Sequence, residues 1–249
     1  MSRFSRDLDP PDVALGIGAH PDDLEFECGA TLAKWAKTGT TVHLLVCTDG
    51  SRGTWDPDVD SAELARTRKR EQAAAADALG AAQPVVFIDR VDGELTADPD
   101  TRSLVAGWIR TLRPDIVLGH DPWRRYRLHP DHRAAGWLTV DGVVAARDAH
   151  FPAGGPGLDR HLPPHRPRAL LLFEADEPDH VEDVNDHSDA KLAALEAHRS
   201  QFESTMGISP DAPQPEIDAF RARERERMTL DGRHVGVGLG EEFKLITDL

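Results

Sequence analysis

Short apolar runs alternate with stretches of helical pattern through the first half of the chain, and that alternation limits the fold more than any other feature. Val13–Ala19 (VALGIGA) and Thr41–Cys47 (TVHLLVC) read as strands, with a helix at Leu24–Lys37 between them and Gly39 as its stop. The pattern continues as a helix at Ser61–Leu79, a strand at Val85–Ile88, a helix at Thr101–Leu112, a strand at Asp115–Gly119 and a helix from about Asp131 to Arg147. Repeated strand–helix–strand units make a parallel sheet covered by helices the economical architecture, so the fold class expected is α/β.

Beyond residue 147 the rhythm breaks. His150–Arg168 (HFPAGGPGLDRHLPPHRPR) is rich in Pro and Gly and reads as a long loop, of the kind expected to border a binding pocket, before a strand at Ala169–Phe173. Helices are expected at Ala190–Phe202 and Pro215–Met228, the second with a charged, solvated face and no evident chemistry. At 249 residues, one domain spanning 1–249 is expected.

The formal net charge of −15 disfavours a nucleic-acid partner, because phosphate backbones need a clustered basic surface. Neither a signal peptide nor a membrane-spanning run is recognisable, so the expectation is a cytoplasmic protein acting on small molecules. Two cysteines, Cys28 and Cys47, exclude a disulfide framework and a thiolate zinc cluster.

His-Pro-Asp occurs twice, as His20-Pro21-Asp22-Asp23 and as His129-Pro130-Asp131-His132. Composition alone predicts on the order of 0.1 such tripeptides in a chain of this length. A proline after each histidine disfavours helical geometry at the histidine and suits the first helical position itself, so each motif belongs at a strand-to-helix turn. In a parallel sheet those turns share the carboxyl edge of the strands, where ligands bind. His20, Asp23 and His132 then supply two imidazoles and a carboxylate, a set suited to Zn²⁺ with an open position for water, although Fe²⁺ and Mn²⁺ accept the same ligands.

Asp22, left over beside the ligands, is the candidate general base. Its alternative is a first-turn carboxylate favoured by the helix dipole. His129 is the candidate acid and oxyanion stabiliser, with Asp131 to orient it. The Gly16-Ile17-Gly18 run lacks the third glycine of a dinucleotide fingerprint, and no G-x-S-x-G elbow is present.

Ala19-His20-Pro21-Asp22-Asp23-Leu24-Glu25 and His129-Pro130-Asp131-His132 resemble the two motifs of the LmbE-like, or PIG-L, N-acetylglucosaminyl deacetylases, with Leu24 where that family commonly has Glu. Thr48-Asp49-Gly50, Arg68 with Glu71, Arg113-Pro114-Asp115, Asp121-Pro122-Trp123 and Lys191 through His198-Arg199-Ser200-Gln201 extend the resemblance over roughly residues 13 to 205. It implies a Rossmann-like three-layer fold with a mostly parallel sheet, a divalent metal that is usually zinc, and removal of the N-acetyl group from a GlcNAc conjugate with release of acetate. Arg68 resembles the family's sugar-binding arginine, Asp92 is a further substrate-side candidate, and Tyr126 resembles a tyrosine that contacts the oxyanion. Here Arg127 and Leu128 separate Tyr126 from His129. The partner so implied is a small amino-sugar conjugate, and a homo-oligomer is compatible with the sequence. An amidase for a larger acyl group and a metal-binding module without turnover are the competing readings.

Overall fold

A computed structural model describes residues 4–159 and 161–249. Among them, eight strands form one sheet in the order β1-β7-β8-β6-β5-β2-β3-β4. They are β1 (Ser5–Arg6), β2 (Val13–Gly18), β3 (Thr41–Thr48), β4 (Val86–Arg90), β5 (Ile116–His120), β6 (Ala169–Phe173), β7 (His180–Asp183) and β8 (Gly240–Ile246). Every pairing is parallel except those of β8, which runs antiparallel to both β6 and β7.

Helices cover both faces, and strand alternation divides the core between them. Leu15 and Ile17 of β2 and Leu170 and Leu172 of β6 pack with α3 (Pro99–Leu112) and α4 (Pro130–Arg147). Ala14, Ile116, Leu118, Leu171 and Phe173 face the other way, onto α1 (Asp23–Lys37), α2 (Ser61–Leu79) and α5 (Ser188–Ala197). This is the three-layer α/β fold expected from the alternation. No described helix is long and apolar enough to cross a membrane.

The chain runs outward from β2 through β3 to β4 and then returns to place β5 on the opposite side of β2. Loops leaving β2 and β5 therefore diverge over opposite halves of the sheet and open a crevice between them, the usual ligand position in such folds. α4 lies close against this switch point because Gly136 carries no side chain: a Cβ there would stand 2.8 Å from the Pro122 nitrogen and 2.9 Å from the His120 carbonyl oxygen.

Two expectations need correction. The segment expected as one helix, Ala190–Phe202, ends at Ala197; His198 leaves helical geometry, and a 3₁₀ turn (Arg199–Gln201) and a π turn (Phe202–Met206) follow. The last helix, α6 (Gln214–Gly232), has the largely solvated charged face expected of it, with Glu224 and Arg227 lining the crevice. The described part of the 150–168 loop packs on α3 instead, with the Gly154 N–H donating to the Ser103 carbonyl and the Ser103 hydroxyl donating to the Gly154 carbonyl, and none of it lines the crevice.

Candidate active site

The crevice over β2 and β5 is a cleft of about 490 Å³ lined by His20, Asp22, Asp23, His129 and His132 on one side. This is within the usual range for small-molecule sites. His20 sits just beyond β2, and its backbone N–H donates to Asp23 Oδ2 at 2.7 Å. Its Nδ1 stands 3.5 Å from the same carboxylate, while Nε2 faces Asp131 at 3.1 Å and Asp92 at 3.3 Å. His132 differs: Nε2 is 3.4 Å from Asp23 Oδ1, while Nδ1 accepts from Arg127 Nε at 3.1 Å and lies 3.5 Å from Glu174. Both imidazoles thus present one nitrogen to Asp23, and the other nitrogen of His20 faces the Asp131 and Asp92 carboxylates, the kind of contact that orients a histidine ligand.

Asp23 stands 3.5 Å from His20 Nδ1 through Oδ2 and 3.4 Å from His132 Nε2 through Oδ1. Three sets of side chains here bring their ligand atoms within 4.8 Å of one another, and they overlap: His20 with His129 and His132, Asp23 with His120 and His132, and His20 with Asp92 and Asp131. His129 adds a third imidazole, its ring centroid 4.6 Å from that of His20 and 4.9 Å from that of His132.

Without a cation the site is electrostatically crowded. Burial opposes charge on Asp23, yet His132 and His120 hold its carboxyl well below the ordinary range. Burial likewise opposes the His20 cation, and its bonds with Asp131, Asp23 and Asp92 outweigh that and raise its pKa well above that of free imidazole.

Asp22 occupies the N-cap of α1 with φ 95°, a left-handed conformation that costs a non-glycine residue about 1–3 kcal/mol. Two bonds hold the turn: Gln72 Oε1 accepts the Asp22 N–H at 3.1 Å, and Arg68 donates to the Pro21 carbonyl at 2.5 Å. The Asp22 side chain makes no capping bond, and it lines the cleft. Burial pushes its carboxyl up to about 6, against the opposing pull of Arg68, 3.3 Å away, and of His198.

The other expected residues divide. Arg68 is almost fully buried, donates to Gly50 O as well as Pro21 O, and lines the cleft beside Asp92. The Asp131 carboxylate does not bond the His129 ring: it accepts from the Gly93 and Leu95 N–H groups at 2.6 and 3.1 Å and meets His20. The bond joining the two residues runs from the Asp131 backbone N–H to His129 Nδ1, at 3.3 Å. That contact makes Nδ1 an acceptor and leaves the His129 proton on Nε2. Burial, with His20 and His132 nearby, lowers the His129 pKa. Tyr126 is 92 % exposed and outside the residues lining the cleft.

Sequence reasoning passed over His120 and Glu174. His120 ends β5, buried, with Nε2 3.1 Å from Asp23 Oδ2 and Nδ1 3.0 Å from Glu174 Oε2. Burial opposes its cation, but Asp23 and Glu174 raise its pKa to about 9. Glu174, just past β6, also takes an ion pair from Arg127 at 2.7 Å. Neither belongs to a motif; the available signal was a histidine closing a strand at the same edge as His20.

Comparison with known proteins agrees with this geometry. Residues 15–143 match the PIG-L family, described as GlcNAc-PI de-N-acetylase. A diacetylchitobiose deacetylase from Thermococcus kodakarensis is 37 % identical over 188 residues, covering 76 % of this chain and 69 % of that protein. A 4-oxalmesaconate hydratase from Pseudomonas putida is 29 % identical over 210 residues, covering 80 % and 78 %. Among solved structures, the N,N'-diacetylchitobiose deacetylase of Pyrococcus horikoshii, in complex with an inhibitor, superposes with a TM-score of 0.82 at 28 % identity, covering 95 % of this chain and 84 % of that one. With more than half its length inside the family's conserved region and both motif turns converging on one cleft, the chain belongs to the PIG-L, or LmbE-like, family of GlcNAc de-N-acetylases.

Proposed function

We propose that this protein is a zinc-dependent hydrolase that removes the N-acetyl group from a GlcNAc-containing small molecule, with His20, Asp23 and His132 as metal ligands and Asp22 as general base. The observation that carries this reading is Asp22: strained backbone, no capping duty, and a carboxylate in the cleft beside the ligand trio. The ion would polarise the amide carbonyl and acidify the attacking water.

The remaining work falls to the chain's own groups. Water adds to the carbonyl carbon as Asp22 accepts its proton, a role suited to a carboxyl near 6, ionised at neutral pH yet basic enough to act. His129 Nε2–H stabilises the oxygen that gains charge, and the proton taken up by Asp22 then passes to the departing nitrogen as the C–N bond breaks, giving acetate and a free amine. Asp131 holds His20 and, through its backbone N–H, the His129 tautomer. Arg68 and Asp92 are assigned to the sugar side.

The test is acetate release from N,N'-diacetylchitobiose and other GlcNAc conjugates by protein of measured metal content. Release that stops on chelation and returns with Zn²⁺ is the expected result. Bound zinc with no acetate from any conjugate would overturn the reading in favour of a bulkier amide, of hydration as in the Pseudomonas relative, or of metal binding without turnover.

A further inference from the structure

Behind the cleft, Glu25 of α1, Gln72 of α2 and His198 just past α5 are fully buried polar side chains, and the first two belong to a line of contacts that ends at Asp22. Gln72 Nε2 donates to Glu25 Oε1 at 2.7 Å, and Gln72 Oε1 accepts the Asp22 N–H at 3.1 Å. The second Glu25 oxygen stands 3.5 Å from His198 Nε2, and neither of those two atoms has a hydrogen-bond partner among the described residues. Among those residues, the bond from Gln72 is thus the one hydrogen bond of the Glu25 carboxylate.

An amide has a donor end and an acceptor end, and here both partners demand the same orientation. The Asp22 N–H needs the oxygen, and the Glu25 carboxylate needs the NH₂. An apolar group in place of the carboxylate would leave the amide nitrogen buried without an acceptor, a cost that works against this orientation. The turn at Asp22 would then lose support for a left-handed backbone, φ 95°, that few non-glycine residues adopt. Arg68, one helical turn before Gln72, holds the same turn through the Pro21 carbonyl. One face of α2 thus grips it twice, and Glu25 sets the direction of one grip.

Resting on the de-N-acetylase reading, we infer that Gln72 and Glu25 are positioning residues that aim the Asp22 carboxylate: Gln72 by holding the Asp22 N–H, and Glu25 by fixing which way the Gln72 amide points. Neither side chain hydrogen-bonds His20, Asp23 or His132. Their loss therefore falls on the rate of the chemical step and leaves the metal ligands in place.

Two readouts on the zinc-loaded protein test this: hydrogen exchange at the Asp22 backbone amide, followed by NMR, and the kinetics of acetate release from N,N'-diacetylchitobiose. Gln72→Met and Glu25→Met break the line at either link with little change in volume, and one folded Met variant is enough to decide. Exchange at Asp22 should quicken by about 10-fold or more while the β2 amides stay protected. In the same variants kcat should fall by about 10-fold, with KM and zinc content as in the parent. Glu25→Gln keeps an acceptor for the Gln72 amide and should restore slow exchange and most of the lost kcat. In an Asp22→Asn background, Gln72→Met should cost kcat nothing further, because the line acts only through that carboxylate. Exchange at Asp22 as slow as in the parent overturns the proposal. Glu25→Gln no better than Glu25→Met, or the same loss of kcat in the Asp22→Asn background, overturns it as well and leaves a packing role. Faster exchange in the Met variants, restored in Glu25→Gln, with no acetate from this or any other GlcNAc conjugate supports the positioning line and removes the de-N-acetylase reading.

Discussion

Asp22 shows how a single residue can answer two explanations at once. A carboxylate at a helix N-terminus is ordinarily accounted for by capping or by the dipole, yet this side chain accepts no bond from its helix, and its backbone sits in a conformation that Gln72 and Arg68 hold. Asp22→Asn should therefore lower kcat by about 10²–10⁴-fold while leaving metal content unchanged, which elemental analysis of the variant would check. Because the base must be ionised, kcat/KM should rise with pH through the folded pKa of Asp22, at or below about 6 once a cation adds to the pull of Arg68. Removing that pull in Arg68→Gln should move the rising limb to higher pH; an unmoved limb would assign it to another group. His120 acts one step further back, fixing Asp23 from one ring nitrogen and Glu174 from the other. His120→Gln should weaken zinc binding by about 10–100-fold in chelator competition, because supporting partners of this kind set ligand orientation.

At the scale of elements, the two motif turns were legible because a proline and a strand end leave few alternatives for the residues around them. Strands β2, β3, β4, β5 and β6 were legible as apolar runs, and helices α1 to α4 followed from the segments between them. Strands β7 and β8 were not. Their sequences, HVED and GEEFKLI, carry charges that are satisfied only in three dimensions: Glu182 by Lys34 at 2.7 Å and Glu241 by Lys191 at 2.7 Å. β1 is two residues long, too short to carry a period. The outer wall of the cleft was hidden for a related reason, since the charges of α6 look like a solvated face until its packing is known. The contact between α4 and β5 depends on an absent side chain, so Gly136→Ala should destabilise the fold by about 1–3 kcal/mol and also loosen metal binding, because α4 carries His132. Urea denaturation and zinc titration of the same variant would show both effects, and a loss of stability with metal affinity unchanged would detach the site from that contact.

Across the whole molecule, the crowding of buried carboxylates at one end of the sheet makes metal loading a global matter. Binding to the folded state alone stabilises it by about 4 kcal/mol at a thousandfold excess over Kd, so Tm should rise with added Zn²⁺ and fall on chelation. An unchanged Tm would mean the trio does not hold an ion. The parallel architecture and its carboxyl-edge crevice were readable from the sequence. The depth of the site was not, because its second layer joins residues that only the completed sheet brings together.

His120 meets Asp23 across 97 residues of chain and His20 meets Asp131 across 111, while Glu174 arrives later still, after β6 has paired. The His20–Asp23 pair is local, but the rest of the centre joins it only through contacts distant in sequence. In the proposed reading, tight zinc capture during synthesis would wait until β5, α4 and β6 have emerged and docked, and the metal would then seal a nearly finished protein, with its affinity a measure of how far folding has gone.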